Sequence, residues 1–403
     1  MISTAAEHKS RHRQSSSQRP SWPRRVLGVR RWRRLLASVA AFVLVGVLLP
    51  MLGVIGASSA AVDPCGTSGN PVACENTKPG TPSSQWSVTG SGSTNIQGFT
   101  SDISTNHGGT VHFKVSTAAT SYHLDIYRMG YYGGAGARLI TTMTPSATLP
   151  QTQPACLTDS TTRLVDCGNW ADSALWNVPV DAVSGVYFAD LVRTDGTAGV
   201  SQVYFVVRAD GSTSRLLYQT SDTTWQAYNR YGGYSLYYGS PMRAYKVSYN
   251  RPFITRDCCD ESFVFSAEYP MIRWLEANGY DVSYSTGVDT DRRGAEILNH
   301  RTFISSGHDE YWSRGQRDNV EAARNAGVNL AFFSGNEMYW KTRWEPSIAD
   351  ATSYRTLVTY KETNANAKID PDPAWIGSWR DPRFSPPSDG ADRRTQCRAT
   401  CSR

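Results

Sequence analysis

Three short stretches of this chain carry side chains able to do acid–base or binding chemistry. The first holds Ser221, Asp222, Trp225 and Tyr228. The second is Gly307-His308-Asp309-Glu310-Tyr311-Trp312, and the third is Gly335-Asn336-Glu337 with Tyr339 and Trp340 behind it. The last two repeat one text: a small residue, a glycine, polar residues, an acid, then aromatics. His308 and Glu310 are two apart, so an extended backbone points them the same way. Each residue alone also has a plain reading. Asp309, Glu310 or Glu337 serves equally as a solvated loop acid or as a partner for Lys341 and Arg343, and His308 as a satisfied structural histidine. Paired acids such as Glu310 and Glu337 would suit a glycoside hydrolase. The five tyrosines from Tyr228 to Tyr238 would equally line a glycan groove on a non-catalytic envelope protein.

What brings the three stretches together is the pattern of elements between them. Leu216 to Thr220 reads as a buried strand, Ala267 to Asn278 as a helix stopped by Gly279, and Tyr280 to Thr286 as a strand. Thr302 to Ser306 is a further strand, Gln316 to Asn325 a helix stopped by Gly327, and Val328 to Ser334 a strand. Strands alternating with helices over short connections imply a parallel sheet covered on both faces. The expectation is a doubly wound α/β domain over 211–387. Ligands of such sheets bind beyond the carboxyl ends of the strands, where all three polar stretches fall.

Upstream, from about Trp86 to Asp210, the period is two. Val111, Phe113 and Val115 alternate with polar residues, as do Tyr122, Leu124 and Ile126, and Val203, Phe205 and Val207. Glycine-bearing turns separate the runs. This predicts a β-sandwich-like domain over 85–210, with a scaffold role. The glycine-rich run Gly130 to Gly136 lies inside it and reads as a turn. Fold class is thus α+β, multidomain. No G-x-S-x-G elbow, P-loop or G-x-G-x-x-G helix opening is present, nor a cysteine in a strand-to-helix turn.

The first 61 residues differ in kind. Ten of the 41 Lys and Arg lie there against one of the 35 acids, so the rest carries about −3 and gives no reason to expect nucleic-acid binding. Arg24 to Arg34 form a basic region, Leu35 to Ala57 an uncharged run, and Ser58 to Ala61 a small-residue cluster. This is the order of a signal peptide cleaved before Val62, with a membrane anchor through residues 35–57 as the rival. Residues 62–84 read as a linker. The expectation is a secreted or envelope protein. Cysteine use agrees: Cys65 with Cys74, and Cys156 with Cys167, sit close together in turn-like sequence, as oxidised staples would. The adjacent Cys258 and Cys259 read as a redox-indifferent pair, buried or bridged to partners.

Four segments resemble the large (beta) subunit family of N,N-dimethylformamidase. They are Tyr127 to Gly134, Glu268 to Glu276, Gly307 to Trp312 and Ser334 to Glu337, within a similarity running from about Cys65 to Pro387. The resemblance implies an amidotransferase-like α/β domain, a small amide or other small substrate, and a mononuclear iron, ferric by its donors. It implies Tyr228, Tyr269 and Glu310 as metal ligands, with His308, Asn336 and Lys361 as catalytic positions. Phenolate and carboxylate are hard anionic donors that suit such an ion. His308 would act as a base, and Asn336 would donate to a developing oxyanion. From Ser388 to Arg403 the text is nearly devoid of apolar residues and departs from the family, as a frameshift or truncation would make it.

Overall fold

A computed structural model describes residues 63–67 and 69–381. The expected leader and the tail from 388 lie outside the described residues. Among those described, no helix is long and apolar enough to cross a membrane. The chain is mixed α+β, with many strands in several sheets and few, short helices.

The period-two runs become antiparallel strands. Thr110–Thr117 turns Val111, Phe113 and Val115 inward and leaves the alternate residues part-exposed. It lies at the centre of a three-stranded sheet, between Ile96–Thr100 and Ala174–Asn177. A five-stranded sheet runs Ser104–Asn106, Val200–Arg208, Gly185–Arg193, Tyr122–Met129 and Ala137–Met143. Phe113 and Trp176 of the first meet Leu124, Leu191 and Phe205 of the second in one core. The glycine-rich run turns the chain between Tyr122–Met129 and Ala137–Met143, with Gly133 at φ 64° and Gly134 at φ 101°.

The second half is built on four parallel strands: Leu216–Thr220, Val282–Thr286, Thr302–His308 and Asn329–Gly335. Numbered in chain order, they lie side by side as 2-1-3-4. Leu217, Phe303 and Phe332 face the helix Arg314–Asn325 through Val320 and Ala323. Tyr218, Tyr284 and Ile304 face the other way, toward Ile272 and Leu275 of the helix Tyr269–Ala277. That helix begins at Tyr269, two residues later than its periodicity suggests, because Pro270 favours the first turn.

Two features escape the hydrophobic pattern. The helix Asp222–Tyr228 is buried along almost its whole length, so it shows no amphipathic stripe. A second four-stranded sheet, in the order Lys246–Ser248, Thr356–Val358, Trp340–Glu345 and Tyr311–Ser313, includes three strands of three residues each, too short for periodicity to register.

The two halves are clamped by a buried ion pair. Arg128, on the five-stranded sheet, donates from Nη1 and Nη2 to the two carboxylate oxygens of Glu276 at 2.9 and 2.8 Å. Both side chains are fully buried. Tyr284 and Asn76 complete the Glu276 shell at 2.8 and 2.7 Å, and the Ser184 carbonyl accepts from Arg128 at 2.8 Å. The fit excludes side chains nearby: a Cβ at Gly185 would sit 2.7 Å from Arg128 Nε, and one at Gly130 would strike the Glu276 carboxylate. Among the described residues three disulfides are present, Cys65–Cys74, Cys156–Cys167 and the vicinal Cys258–Cys259. The last two cysteines therefore bond to each other, not to partners elsewhere.

Two predictions come from this packing. Arg128→Met leaves the Glu276 charge buried without its partner and should cost about 3–5 kcal/mol in urea unfolding, while adding Glu276→Leu should recover part of that loss. A single variant within about 1 kcal/mol of the parent would mean that the pair is not a clamp. The second concerns Asp190, which accepts from Gln202 Nε2 at 2.9 Å in the five-stranded sheet. Burial pushes its carboxyl up to about 8. The unfolded chain releases this proton near pH 4 and the folded one only near 8, so stability should fall as pH rises through that window. Asp190→Asn should therefore raise the melting temperature at pH 7.5 and leave it nearly unchanged at pH 4; equal effects at both values would contradict the assignment.

Candidate functional site

In the order 2-1-3-4, the first and third strands are neighbours whose connections leave to different places. That is the switch point at which an open α/β sheet forms a crevice. The first strand runs into the helix Asp222–Tyr228, which places Tyr228 at its last residue. The third ends at His308, with Asp309 and Glu310 just beyond. Gly307, at φ 88°, makes the bend possible; a Cβ there would lie 2.7 Å from the Ala267 carbonyl oxygen.

The centre of the site is the Glu310 carboxylate, 4% exposed. Tyr228 donates its hydroxyl to Oε2 at 3.1 Å. The Tyr237 hydroxyl lies 2.8 Å from Oε1 and 2.9 Å from Oε2. The two rings pack at 4.4 Å between centroids. Glu310 is held at its backbone as well: its N–H donates to Thr224 Oγ1 at 3.0 Å, and its carbonyl accepts from Tyr339 and Trp340 at 3.0 and 2.9 Å. Burial, then the Glu310 charge, pushes the Tyr237 phenol up to about 12 and raises Tyr228 further.

His308 joins this cluster. Its Nε2 lies 3.5 Å from Glu310 Oε2 and 3.1 Å from Asn336 Nδ2, and its Nδ1 lies 3.2 Å from Ser262 Oγ. With Asn336 so oriented, Nε2 accepts from the amide and Nδ1–H is left to donate to Ser262. Lys361 enters from the short second sheet. Its Nζ is buried without a hydrogen-bond partner, 3.3 Å from the Tyr237 ring centre, 4.9 Å from that of Trp340 and 5.2 Å from that of Tyr311. Burial lowers the amine to about 6, against the opposing pull of Glu310. Asn336 and Lys361 both hold left-handed backbone, at φ 50° and 51°, and Met338 does the same at 50°.

Of the six expected site residues, five meet here and Tyr269 does not. Its ring packs on Trp86 and Phe265, and its hydroxyl reaches Gly136 on the antiparallel side. The helix from Tyr269 starts with its first side chain turned toward that sheet, away from Glu310. The second phenol at Glu310, beside that of Tyr228, belongs to Tyr237. Nothing in the spacing separated Tyr237 from the four tyrosines around it; what delivers it is the turn in which Ser235 Oγ accepts from the Tyr237 and Tyr238 N–H groups. Ser262 carried no sequence signal at all. Asp222 is structural: buried, raised to about 6 by that burial, it accepts from the Gly287 N–H and the Tyr249 hydroxyl. Glu337 does not pair with Glu310; it accepts from Ser305, which also bonds Asp309. Among the described residues no group of three or more His, Cys, Asp or Glu converges as a metal site. The oxygen cluster consists instead of two phenols and one carboxylate.

Comparison with known proteins gives one informative match. The family model described as N,N-dimethylformamidase beta subunit-like, C-terminal, covers residues 123–391, more than half of the chain. No curated protein matches. Two solved structures are similar only remotely. Domain 1 of VCBP3 from Branchiostoma floridae is 7% identical, with 29% of this chain and 96% of that chain covered and a TM-score of 0.19. A cycloisomaltooligosaccharide glucanotransferase of Paenibacillus sp. is 10% identical, with 66% of this chain and 34% of that chain covered and a TM-score of 0.18. At those scores neither bears on the fold. The family match takes in four strands of the five-stranded sheet, all but Ser104–Asn106, together with the parallel sheet and every residue of the Glu310 cluster. The chain belongs to the N,N-dimethylformamidase beta subunit-like family.

Proposed function

We propose that this protein is an iron-dependent amide hydrolase whose metal is held by Tyr228, Tyr237 and Glu310. The observation that carries the proposal is the convergence of two phenol oxygens on one buried carboxylate at 2.8–3.1 Å. Three hard oxygens, all able to become anionic, suit a ferric ion. Without a cation, burial and then the Glu310 charge keep both phenols protonated; a bound cation would favour the phenolates.

When bound, the metal would supply Lewis acidity toward an amide carbonyl. The remaining work falls to the chain's own groups. His308 would act as the base through Nε2, exchanging the Asn336 N–H it accepts for a proton of the attacking water, with Ser262 fixing the ring through Nδ1. The Asn336 amide, adjacent to Nε2, has a second N–H with which to stabilise a developing oxyanion. Lys361 holds a neutral amine among aromatic faces, where a proton gained at Nζ would be stabilised by the rings and by Glu310.

We also read the chain as a β-sandwich-like domain over 85–210 joined to a doubly wound, amidotransferase-like domain over 211–387. The two antiparallel sheets on one core and the 2-1-3-4 parallel sheet support this. Export to an oxidising compartment is supported by the three disulfides.

Protein expressed with ample iron should bind about one ferric ion per chain and show a visible tyrosinate-to-iron absorption band. Tyr237→Phe should lose at least tenfold in iron affinity, whereas Tyr269→Phe should keep both the ion and the band. A colourless, iron-free parent, or loss of iron from Tyr269→Phe alone, would overturn the assignment. Release of amine from a panel of small N-substituted amides, abolished in Glu310→Ala, tests the reaction class.

A further inference from the structure

The vicinal disulfide Cys258–Cys259 lies in the segment that supports the site from behind. We propose that it is a reversible redox couple that sets the positions of Tyr228 and His308. Three contacts connect it to them. Thr255 Oγ1 donates to the Trp225 carbonyl at 2.9 Å, and Cys258 Sγ lies 3.8 Å from the Tyr228 carbonyl oxygen. Both carbonyls belong to the last turn of the helix Asp222–Tyr228, where no further turn of helix is available to bond them. Ser262, three residues past the disulfide, meets His308 Nδ1. The start of the segment is tied to the antiparallel side, where Asp257 accepts from the Ser91 N–H at 2.7 Å. The segment thus has one fixed end and two points of contact with the site.

A disulfide between adjacent residues closes an eight-membered ring that includes the peptide bond between them. That ring restricts the backbone of both residues. It also leaves Cys258 Sγ without a proton, so against the Tyr228 carbonyl it makes only a van der Waals contact. Reduction changes both conditions. A dithiol reductant attacks one sulfur, forms a mixed disulfide, and leaves as its own cyclic disulfide; two electrons and two protons pass to Cys258 and Cys259. The ring opens, and the Cys258 thiol gains an S–H able to donate to the Tyr228 or Thr255 carbonyl, the latter 3.7 Å away. Cys258 is part-exposed, so a reductant has access, while Cys259 is buried. Freed from the ring, the segment from Arg256 to Ser262 no longer holds the end of the Tyr228 helix and the His308 ring in one arrangement.

Hydrogen exchange read by mass spectrometry tests this without requiring bound metal or turnover. The protein is titrated with dithiothreitol, and alkylation identifies which cysteines have opened. Opening of Cys258–Cys259 should speed exchange at least tenfold at the Asn229 and Glu310 amides, which bond to Gln226 O and Thr224 Oγ1. Amides of Tyr122–Met129 should not change. The double variant Cys258→Ser, Cys259→Ser should exchange fast at the same positions and stop responding to reductant. Reduction of this couple with no change around Tyr228 and Glu310 would overturn the proposal. So would acceleration spread evenly through the antiparallel sheets, which would make the bond a general staple. Neither outcome bears on whether Tyr228, Tyr237 and Glu310 hold iron.

Discussion

The Arg128–Glu276 pair is the constraint on which the remaining geometry rests. It joins a strand of the five-stranded sheet to the helix that covers one face of the parallel sheet. A charge this deep is tolerable only when its hydrogen bonds are complete, and here tyrosine, asparagine and backbone oxygens complete them. The clamp explains why glycine stands at 130 and 185, and why the segments Tyr127 to Gly134 and Glu268 to Glu276 stand out in the sequence. These segments look like functional motifs. Most of what they do is to dock one half of the chain against the other. With the docking angle set, the carboxyl ends of the first and third parallel strands open toward the turn that carries Tyr237.

The site is assembled from parts of very different rigidity. Glu310 is fixed by three backbone hydrogen bonds and is almost fully buried. Tyr228 ends a buried helix. Tyr237 lies on a turn and is 44% exposed. His308 is held from one side by Ser262 and from the other by Asn336. The chemistry the cluster can do depends on this gradient: an immobile acceptor, a rigid donor, and a donor on the rim that is able to adjust.

Much of the scaffold is legible in the sequence. The strand Leu216–Thr220 has the bounds its apolar run predicts, and the other three parallel strands differ by one to two residues. Long periodic segments report themselves because burial on one face leaves a repeating pattern. His308, Glu310 and Asn336 were legible for a related reason: they follow strands, and strand ends in such sheets converge. Tyr237 and Ser262 were not legible, since each reaches the site from irregular backbone whose course is set by contacts far away in sequence. Tyr269, at the start of a helix, fits the family pattern, while its ring packs against Trp86; sequence position does not report that direction. Lys361 was found only through the resemblance; the three-residue strand that delivers it has no period to detect.

The largest apolar core ignores the boundary near residue 210. Phe188 and Tyr204 of the five-stranded sheet pack edge-on against Phe263 and Phe265 of the segment leading into the site. The two halves are therefore not interchangeable modules. Expressed alone, the antiparallel half would expose this aromatic face together with an arginine built for burial, and it could not be grafted onto another α/β domain without carrying those partners with it. Within this chain, the outer sheet and the segment that leads to the Glu310 cluster share one close-packed core, so a change of side-chain volume in the one must be absorbed by the other.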